Sequence, residues 1–215
     1  MLNLLSYQPV IVATLSGRSY YKITSVLKSL ELNFLSLSPE EAAMCDAKII
    51  ITTLNESKIV KRSDVFLDTE LEQSPLSVKA RILQNFMSSY GCSTDQLIVG
   101  IDPGKRIGIS ILYYNFEFDK VTVLSVQSAI EKVSVILSAV ESQKKIVRIG
   151  DGSLALSYQI AKILKNYFKD EVTVEIVDEH GTSIRQGTEI NRRGLRDISS
   201  ARKIAFRNGR IYDRW

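Results

Sequence analysis

Hydrophobic and polar residues follow two periods along the chain, one typical of strands and one typical of amphipathic helices. Near the start, the apolar run 9–15 (PVIVATL) predicts a strand. The next segment predicts an amphipathic helix, because its apolar residues are spaced i, i+3, i+4, i+7: Ile23, Val26, Leu27 and Leu30. The runs FLSLS and AKIIITTL predict two more strands. This order indicates a small α/β domain.

Segment 55–74 is polar and has no regular period, so we place a domain boundary there, giving domains 1–72 and 73–215. Pro75 favours the first position of a helix. A helix is therefore predicted from this proline, with an apolar side formed by Ile82, Leu83 and Phe86.

The second domain has a more regular pattern. Strands are predicted at 97–102, 107–116 and 120–127, and the short gaps between them indicate an antiparallel meander. Three helices and two strands follow in alternation. The first helix begins at Ser128, with Glu131 completing a capping box, and is followed by strand 145–150. The second helix has Ser153 as a cap and is followed by strand 172–178, and the last helix, 196–209, is ended by Gly209. The order βββαβαβα indicates an α/β fold with a mixed sheet.

Acidic residues follow the predicted strands of this domain. Asp102 and Asp151 each end a strand, and Asp178 and Glu179 end a third. Right-handed crossovers would make these strands parallel, so their carboxyl ends would share one edge of the sheet. Ligands bind at that edge where the strand order reverses, here between the strands of Asp102 and Asp151. Two carboxylates there would repel each other without a cation, which favours a two-metal site that acts on a phosphodiester.

Each acid also has a simpler interpretation. Asp102-Pro103-Gly104 and Gly150-Asp151-Gly152 are good turn sequences. Asp178-Glu179 can end a strand in solvent, and Asp197 can serve as the N-cap of the last helix. The prediction of a site depends on their joint placement in one βββαβαβα order.

Charge is unevenly distributed in this chain of 215 residues, which is 45% hydrophobic and 24% charged and has a net charge of +4. Residues 184–215 hold nine basic and three acidic residues, so this segment carries +6 and the remainder −2. A basic C-terminal segment is typical of phosphate contact, and the alternative is a solvated helix face.

Composition narrows the chemistry further. Cys45 and Cys92 have neither metal-binding nor disulfide-framework spacing, and free thiols in a reducing cytoplasm are the simpler interpretation. His180 is the single histidine, so a histidine-rich zinc site is excluded and any metal would be held by oxygen, as Mg²⁺ or Mn²⁺. No apolar run reaches the roughly 18 residues that span a bilayer, so no membrane association is predicted. The opening 15 residues lack a basic start, which favours a strand over a signal peptide.

Four motifs, in order, resemble one family. VGIDPGKRIGISI is similar to the first strand of RuvC-like Holliday junction resolvases and YqgF-like proteins of the RNase H-like superfamily. IVRIGDGSLALSYQIAKIL resembles the strand, acid and helix of the second carboxylate, VDEHGTS resembles the YqgF-like Asp-Glu-Arg-x-Thr-Thr motif, and RDISSARKIAF resembles the last helix. The resemblance covers residues 97–209 and leaves the role of domain 1–72 open.

The resemblance implies an RNase H-like mixed sheet and an endonuclease that hydrolyses phosphodiester bonds in branched or structured DNA or RNA. Carried over by position, Asp102, Asp151 and Asp197 would hold two Mg²⁺ (or Mn²⁺) ions, and Glu179 would be a fourth catalytic residue. Basic residues near these acids would contact the nucleic acid: Lys105, Arg106, Arg185, Arg192, Arg193 and Arg196. Junction resolvases act as dimers, so the resemblance also implies a homodimer.

The chain departs from the family at three positions. Asp151 stands where resolvases tend to have Glu, Ser200 where they often have a second helix Asp, and His180 where YqgF-like proteins have Arg. Three functions therefore stay open: a metal-dependent endonuclease, a nucleic-acid-binding or scaffold protein that does not cleave, and an ATPase of the actin and sugar-kinase kind. The third needs two copies of the fold, for which the chain is too short.

Overall fold

The computed structural model describes residues 9–62, 65–89, 94–179 and 193–213, and it divides the chain into two compact units, Met1–Ser93 and Thr94–Trp215. Each unit contains helices and its own sheet, so the predicted α/β class is confirmed. In the described part of the chain, no helix combines the length and the apolar character that crossing a bilayer requires.

As far as the structure describes it, the first unit is built on four parallel strands in the spatial order β2-β1-β3-β4. In chain order its elements are β1 (Val10–Ala13), α1 (Gly17–Ser29), β2 (Phe34–Leu37), α2 (Pro39–Met44), β3 (Ile50–Thr52), α3 (Ser57–Val60), β4 (Val65–Leu67), α4 (Asp68–Gln73) and α5 (Pro75–Ser89). The predicted strands and the helices α1 and α5 are present. Ser16 caps α1 by accepting a hydrogen bond of 3.3 Å from the Ser19 N–H.

Segment 55–74, predicted to be irregular, instead forms α3, β4 and α4. These elements are short, and their few apolar side chains do not create a readable period. Leu71 of α4 is fully buried, and Glu72 forms a 2.7 Å ion pair with Lys22 of α1. These contacts attach α4 to the first unit, which extends to Ser93, whereas the domain boundary was predicted at 72–73.

In the described residues, the second unit is a six-stranded mixed sheet with three α-helices. Its elements are β5 (Gln96–Asp102), β6 (Ile107–Tyr113), β7 (Phe116–Val123), α6 (Val126–Ala139), β8 (Lys144–Gly150), α7 (Leu154–Phe168), β9 (Thr173–Val177), α8 (Arg193–Ala205) and β10 (Arg210–Ile211). The spatial order is β10-β9-β8-β5-β6-β7. The order βββαβαβα is as predicted, with β10 added at one edge.

Strand directions in the second unit place the predicted site at one edge of the sheet. Strand β5 pairs in parallel with β8, and β8 with β9, whereas β6 is antiparallel to both β5 and β7. The carboxyl ends of β5, β8 and β9 therefore lie at the same edge. Strand β5 has β6, the next strand in the chain, on one side and β8 on the other. The strand order therefore reverses between β5 and β8, as predicted.

Three predicted helix boundaries were wrong. Helix α6 begins at Val126, two residues before Ser128, because Ser125 is its N-cap and accepts a 3.1 Å hydrogen bond from the Ser128 N–H. Helix α8 begins at Arg193 and ends at Ala205. Gly209 therefore does not end this helix; it runs beside β9, where its N–H donates to Glu175 Oε2 at 3.2 Å and a Cβ would lie only 2.5 Å from the Ile176 carbonyl oxygen.

Candidate active site at the carboxyl ends of β5, β8 and β9

Helix α8 lies directly on the sheet because glycines in the strands leave room for its backbone. A Cβ at Gly100 of β5 would overlap the Ala201 carbonyl oxygen, and a Cβ at Gly108 of β6 would overlap the Asp197 carbonyl oxygen. Ile98 and Leu112, on the same faces of these strands, form a buried cluster with Ala205. This close approach brings the first half of α8 over the carboxyl end of β5 and the start of β6.

Asp102, the last residue of β5, faces this helix. Side chains alternate along a strand, so Asp102 shares the face of Gly100. Burial, and after it the negative charges of Glu179 and Asp197, raises the pKa of Asp102 to about 6. A hydrogen bond with the Ser200 side chain acts in the opposite sense. Asp102 is therefore a partly buried carboxylate whose neighbours repel its charge.

Asp151 and Glu179 hold each other at the ends of β8 and β9. The Glu179 N–H donates to Asp151 Oδ1 at 2.9 Å, and the Gly152 N–H donates to Glu179 Oε1 at 3.2 Å. The Glu179 carboxylate lies over Gly150, where a Cβ would overlap its Oε1 atom. The missing side chain at Gly150 is thus what allows Glu179 to reach back towards β5.

Asp197 lies in the second turn of α8, so its interpretation as an N-cap was wrong. Burial is the main cause that raises the pKa of Asp197, and the positive charge of Arg106 opposes the shift. Arg106 and Lys105 are exposed residues of the turn between β5 and β6. A basic side chain of this turn therefore lies near an acid of the helix.

The predicted site residues are brought together to different degrees. Asp102 interacts electrostatically with both Glu179 and Asp197, and Asp151 accepts a hydrogen bond from the Glu179 backbone. Arg196 is exposed on α8, and Arg193 begins that helix. Arg185, Arg192 and His180 lie outside the described residues.

Carboxylate oxygens are suitable donors for Mg²⁺ or Mn²⁺, and the repulsion around Asp102 would be relieved by a cation. Within the described ranges, however, no three His, Cys, Asp or Glu side chains are grouped closely enough to hold a metal ion. The oxygen donors are of the kind that divalent cations prefer, but the four carboxylates are not arranged as a preformed metal site.

Two residues of this region were not identified as functional from the sequence. Ser200 stands where resolvases often have an Asp, and its side chain forms a hydrogen bond with Asp102. Arg148 of β8 is buried and donates to Glu175 Oε2 (2.8 Å), the Ala205 carbonyl oxygen (2.7 Å) and Asn208 Oδ1 (2.8 Å), which fixes the end of α8 to the sheet. A single arginine inside the apolar run KIVRIG was the available signal.

Comparison with protein-family models, with curated proteins and with solved structures gives no match to this chain. The case for its function therefore depends on the geometry of the acidic site.

Proposed function

We propose that the second unit is an RNase H-like domain that hydrolyses phosphodiester bonds in branched or structured nucleic acid with the help of divalent cations. The observation that carries this proposal is the convergence of Asp102 at the end of β5, Glu179 just beyond β9 and Asp197 on α8. The order βββαβαβα, with β6 antiparallel beside three parallel strands, supports the RNase H-like assignment.

The residues of the site have separate tasks in this proposal. Asp102 and Asp197 would hold Mg²⁺ or Mn²⁺, with Asp151 and Glu179 as further oxygen donors. When bound, divalent cations would activate a water molecule for attack and would offset the negative charge that develops on the leaving oxygen. Ser200 orients Asp102, and Arg106 attracts the phosphate backbone towards the carboxylates.

Cleavage assays test the proposal. The parent protein, Asp102→Asn and Asp197→Asn are incubated with four-way, flap and linear DNA and RNA substrates, with Mg²⁺, Mn²⁺ or EDTA. We expect cation-dependent cleavage by the parent and a loss of at least about 100-fold in both variants, because each exchange removes a charged ligand. Glu171→Gln, which removes an exposed carboxylate elsewhere in the unit, is the matched control.

A second function is favoured by one specific observation. The Asp151 carboxylate accepts a hydrogen bond from the Glu179 backbone, and the described acids do not form a three-ligand group. Such a site suits a protein that binds nucleic acid without cutting it. This alternative would be established if the parent binds a substrate but does not cleave it with any divalent cation. A cytoplasmic location and a homodimer stay predictions under either function.

A further inference from the structure

The outward side of α8 carries a stripe of exposed residues that the acidic site does not use. Arg196, Ser199 and Lys203 are exposed and follow the spacing i, i+3, i+7, which places them on one helix face. Phe206, in the turn that follows the helix, continues the stripe, and its side chain is 48% exposed. We call these four residues the α8 stripe.

The inward side of the same helix is buried. Ala201, Ile204 and Ala205 pack on the sheet, and their exposure does not exceed 2%. Asp197 and Ser200 lie on the flank between the two sides, towards Asp102. The α8 stripe therefore starts one residue from an acid of the candidate site and runs away from it along the helix.

Two other basic residues of this region are engaged at the flanks. Arg202 forms a 3.1 Å ion pair with Glu117 of β7, and Arg207 donates to the Asp178 carbonyl oxygen at 3.2 Å. Within the described residues, by contrast, neither Arg196 nor Lys203 has an ion pair or a hydrogen bond from its side chain. The outward charge of α8 is thus positive, in a C-terminal segment with nine basic and three acidic residues.

Phe206 adds an apolar surface to this positive face. The Arg202 guanidinium carbon lies 6.0 Å from the ring centroid, and nearly half of the side chain remains accessible to solvent. A positive track combined with an exposed aromatic ring is the pattern by which proteins bind single-stranded nucleic acid, because the ring stacks on a base and the cations contact phosphates.

We propose that the α8 stripe is the track of a single-stranded segment of the nucleic acid, with Arg196 and Lys203 on its phosphates and Phe206 stacked on an unpaired base. Arg196 and Lys203 are about 10 Å apart along the helix axis, given a rise of about 1.5 Å per residue. That distance exceeds the spacing of neighbouring phosphates along a strand, so the two cations would contact different phosphates. The inference rests on the proposed function, since it identifies the substrates as those with an unpaired strand beside the cleavage position.

Binding measured without divalent cations tests this inference separately from cleavage. The probes are fluorescein-labelled oligothymidine and oligouridine of about twelve nucleotides, with a blunt DNA duplex for comparison, and the readout is fluorescence anisotropy in EDTA. The variants are Lys203→Ala and Phe206→Ala. Their matched controls are Lys162→Ala and Tyr167→Ala, which remove an exposed lysine and a 72% exposed tyrosine from α7.

Phe206→Ala is expected to weaken binding of both single strands by about 5- to 150-fold, the effect of losing one stacked base, and to change duplex binding much less. Lys203→Ala is expected to reduce the slope of log affinity against log salt by about one. The α7 variants should bind as the parent does. Unchanged urea unfolding of Lys203→Ala and Phe206→Ala would show that these variants are folded.

Parent-like binding by both α8 variants would overturn the inference, and so would an equal loss for single strands and duplex in Phe206→Ala. Its failure differs from failure of the proposed function. If the parent cleaves with Mg²⁺ and the α8 variants bind normally, the track is wrong and the nuclease stands. If the α8 variants lose binding and the parent cleaves no substrate, the track stands and the nuclease is wrong.

Discussion

Replacing Asp102 by Asn should make the second unit more stable near neutral pH while abolishing cleavage. Burial and the charges of Glu179 and Asp197 raise the pKa of Asp102 from 3.8 to about 6. A difference of about two pKa units corresponds to about 3 kcal/mol of unfavourable free energy in the ionised folded state. Solvent reaches part of this site and screens the charges, so we expect a gain of about 1–2 kcal/mol in the Asn variant.

The sign of the pH dependence follows from proton linkage. An acid whose pKa is higher in the folded state binds its proton more tightly there than in the unfolded state. The contribution of Asp102 to the stability of the parent therefore falls as pH rises from about 4 to about 6, and this loss is complete above that range. Asn carries no charge at any of these pH values. The advantage of Asp102→Asn should be full above about pH 6 and vanish below about pH 4.

Hydrogen exchange monitored by mass spectrometry measures this effect in the second unit alone. Peptides from β5 to β8 in EDTA should exchange about 5- to 30-fold more slowly in Asp102→Asn near neutral pH, if exchange requires unfolding of the unit. Glu171→Gln loses the same charge from an exposed position and should change little. Equal or faster exchange in Asp102→Asn, or the same slowing in Glu171→Gln, would refute the reasoning.

Four further changes have expected outcomes. Gly108→Ala should destabilise the second unit by about 1–3 kcal/mol in urea unfolding, because its Cβ would overlap the Asp197 backbone; Gly17→Ala, with no atom within 4 Å of its Cβ, should not destabilise the protein. Arg148→Met should cost about 3–5 kcal/mol by leaving the largely buried Glu175 carboxylate without its charged partner, and adding Glu175→Met should recover much of this loss; additive effects would show that the pair is not coupled. Ser125→Ala should cost about 1 kcal/mol and Ser128→Ala less, since Ser125 is the cap of α6; the reverse order would contradict the assignment. Cleavage at limiting Mg²⁺ should fall as pH drops through about 6, where protons compete for Asp102, and a flat profile would exclude that competition.

Strand patterns predicted the second unit more successfully than the first. Long apolar runs such as 97–102 and 145–150 are regular enough to define β5 and β8, and the crossover rule then predicts their parallel pairing. Short elements such as α3 and β4 have only three or four residues, so a local period cannot reveal them. Their positions depend on tertiary contacts, as the burial of Leu71 in α4 illustrates.

The sequence indicated the acids of the candidate site that follow strands, but it did not indicate how α8 packs against them. Asp102, Asp151 and Glu179 follow strands, and the sheet topology brings those ends to one edge. The packing of α8 could not be read from local signals, because its close approach to the sheet depends on Gly100 and Gly108, which are distant in the chain. The roles of Ser200 and Arg148 also depend on residues distant in the chain.

The central claim is that Asp102, Asp197 and their neighbours bind a divalent cation for phosphodiester hydrolysis. The most direct test is the anomalous scattering of a crystal of the full chain soaked in Mn²⁺. The account expects manganese within about 2.5 Å of an Asp102 oxygen and an Asp197 oxygen, and no such peak in Asp102→Asn. Parent crystals with no manganese at Asp102, at concentrations that support cleavage by metal nucleases, would contradict it.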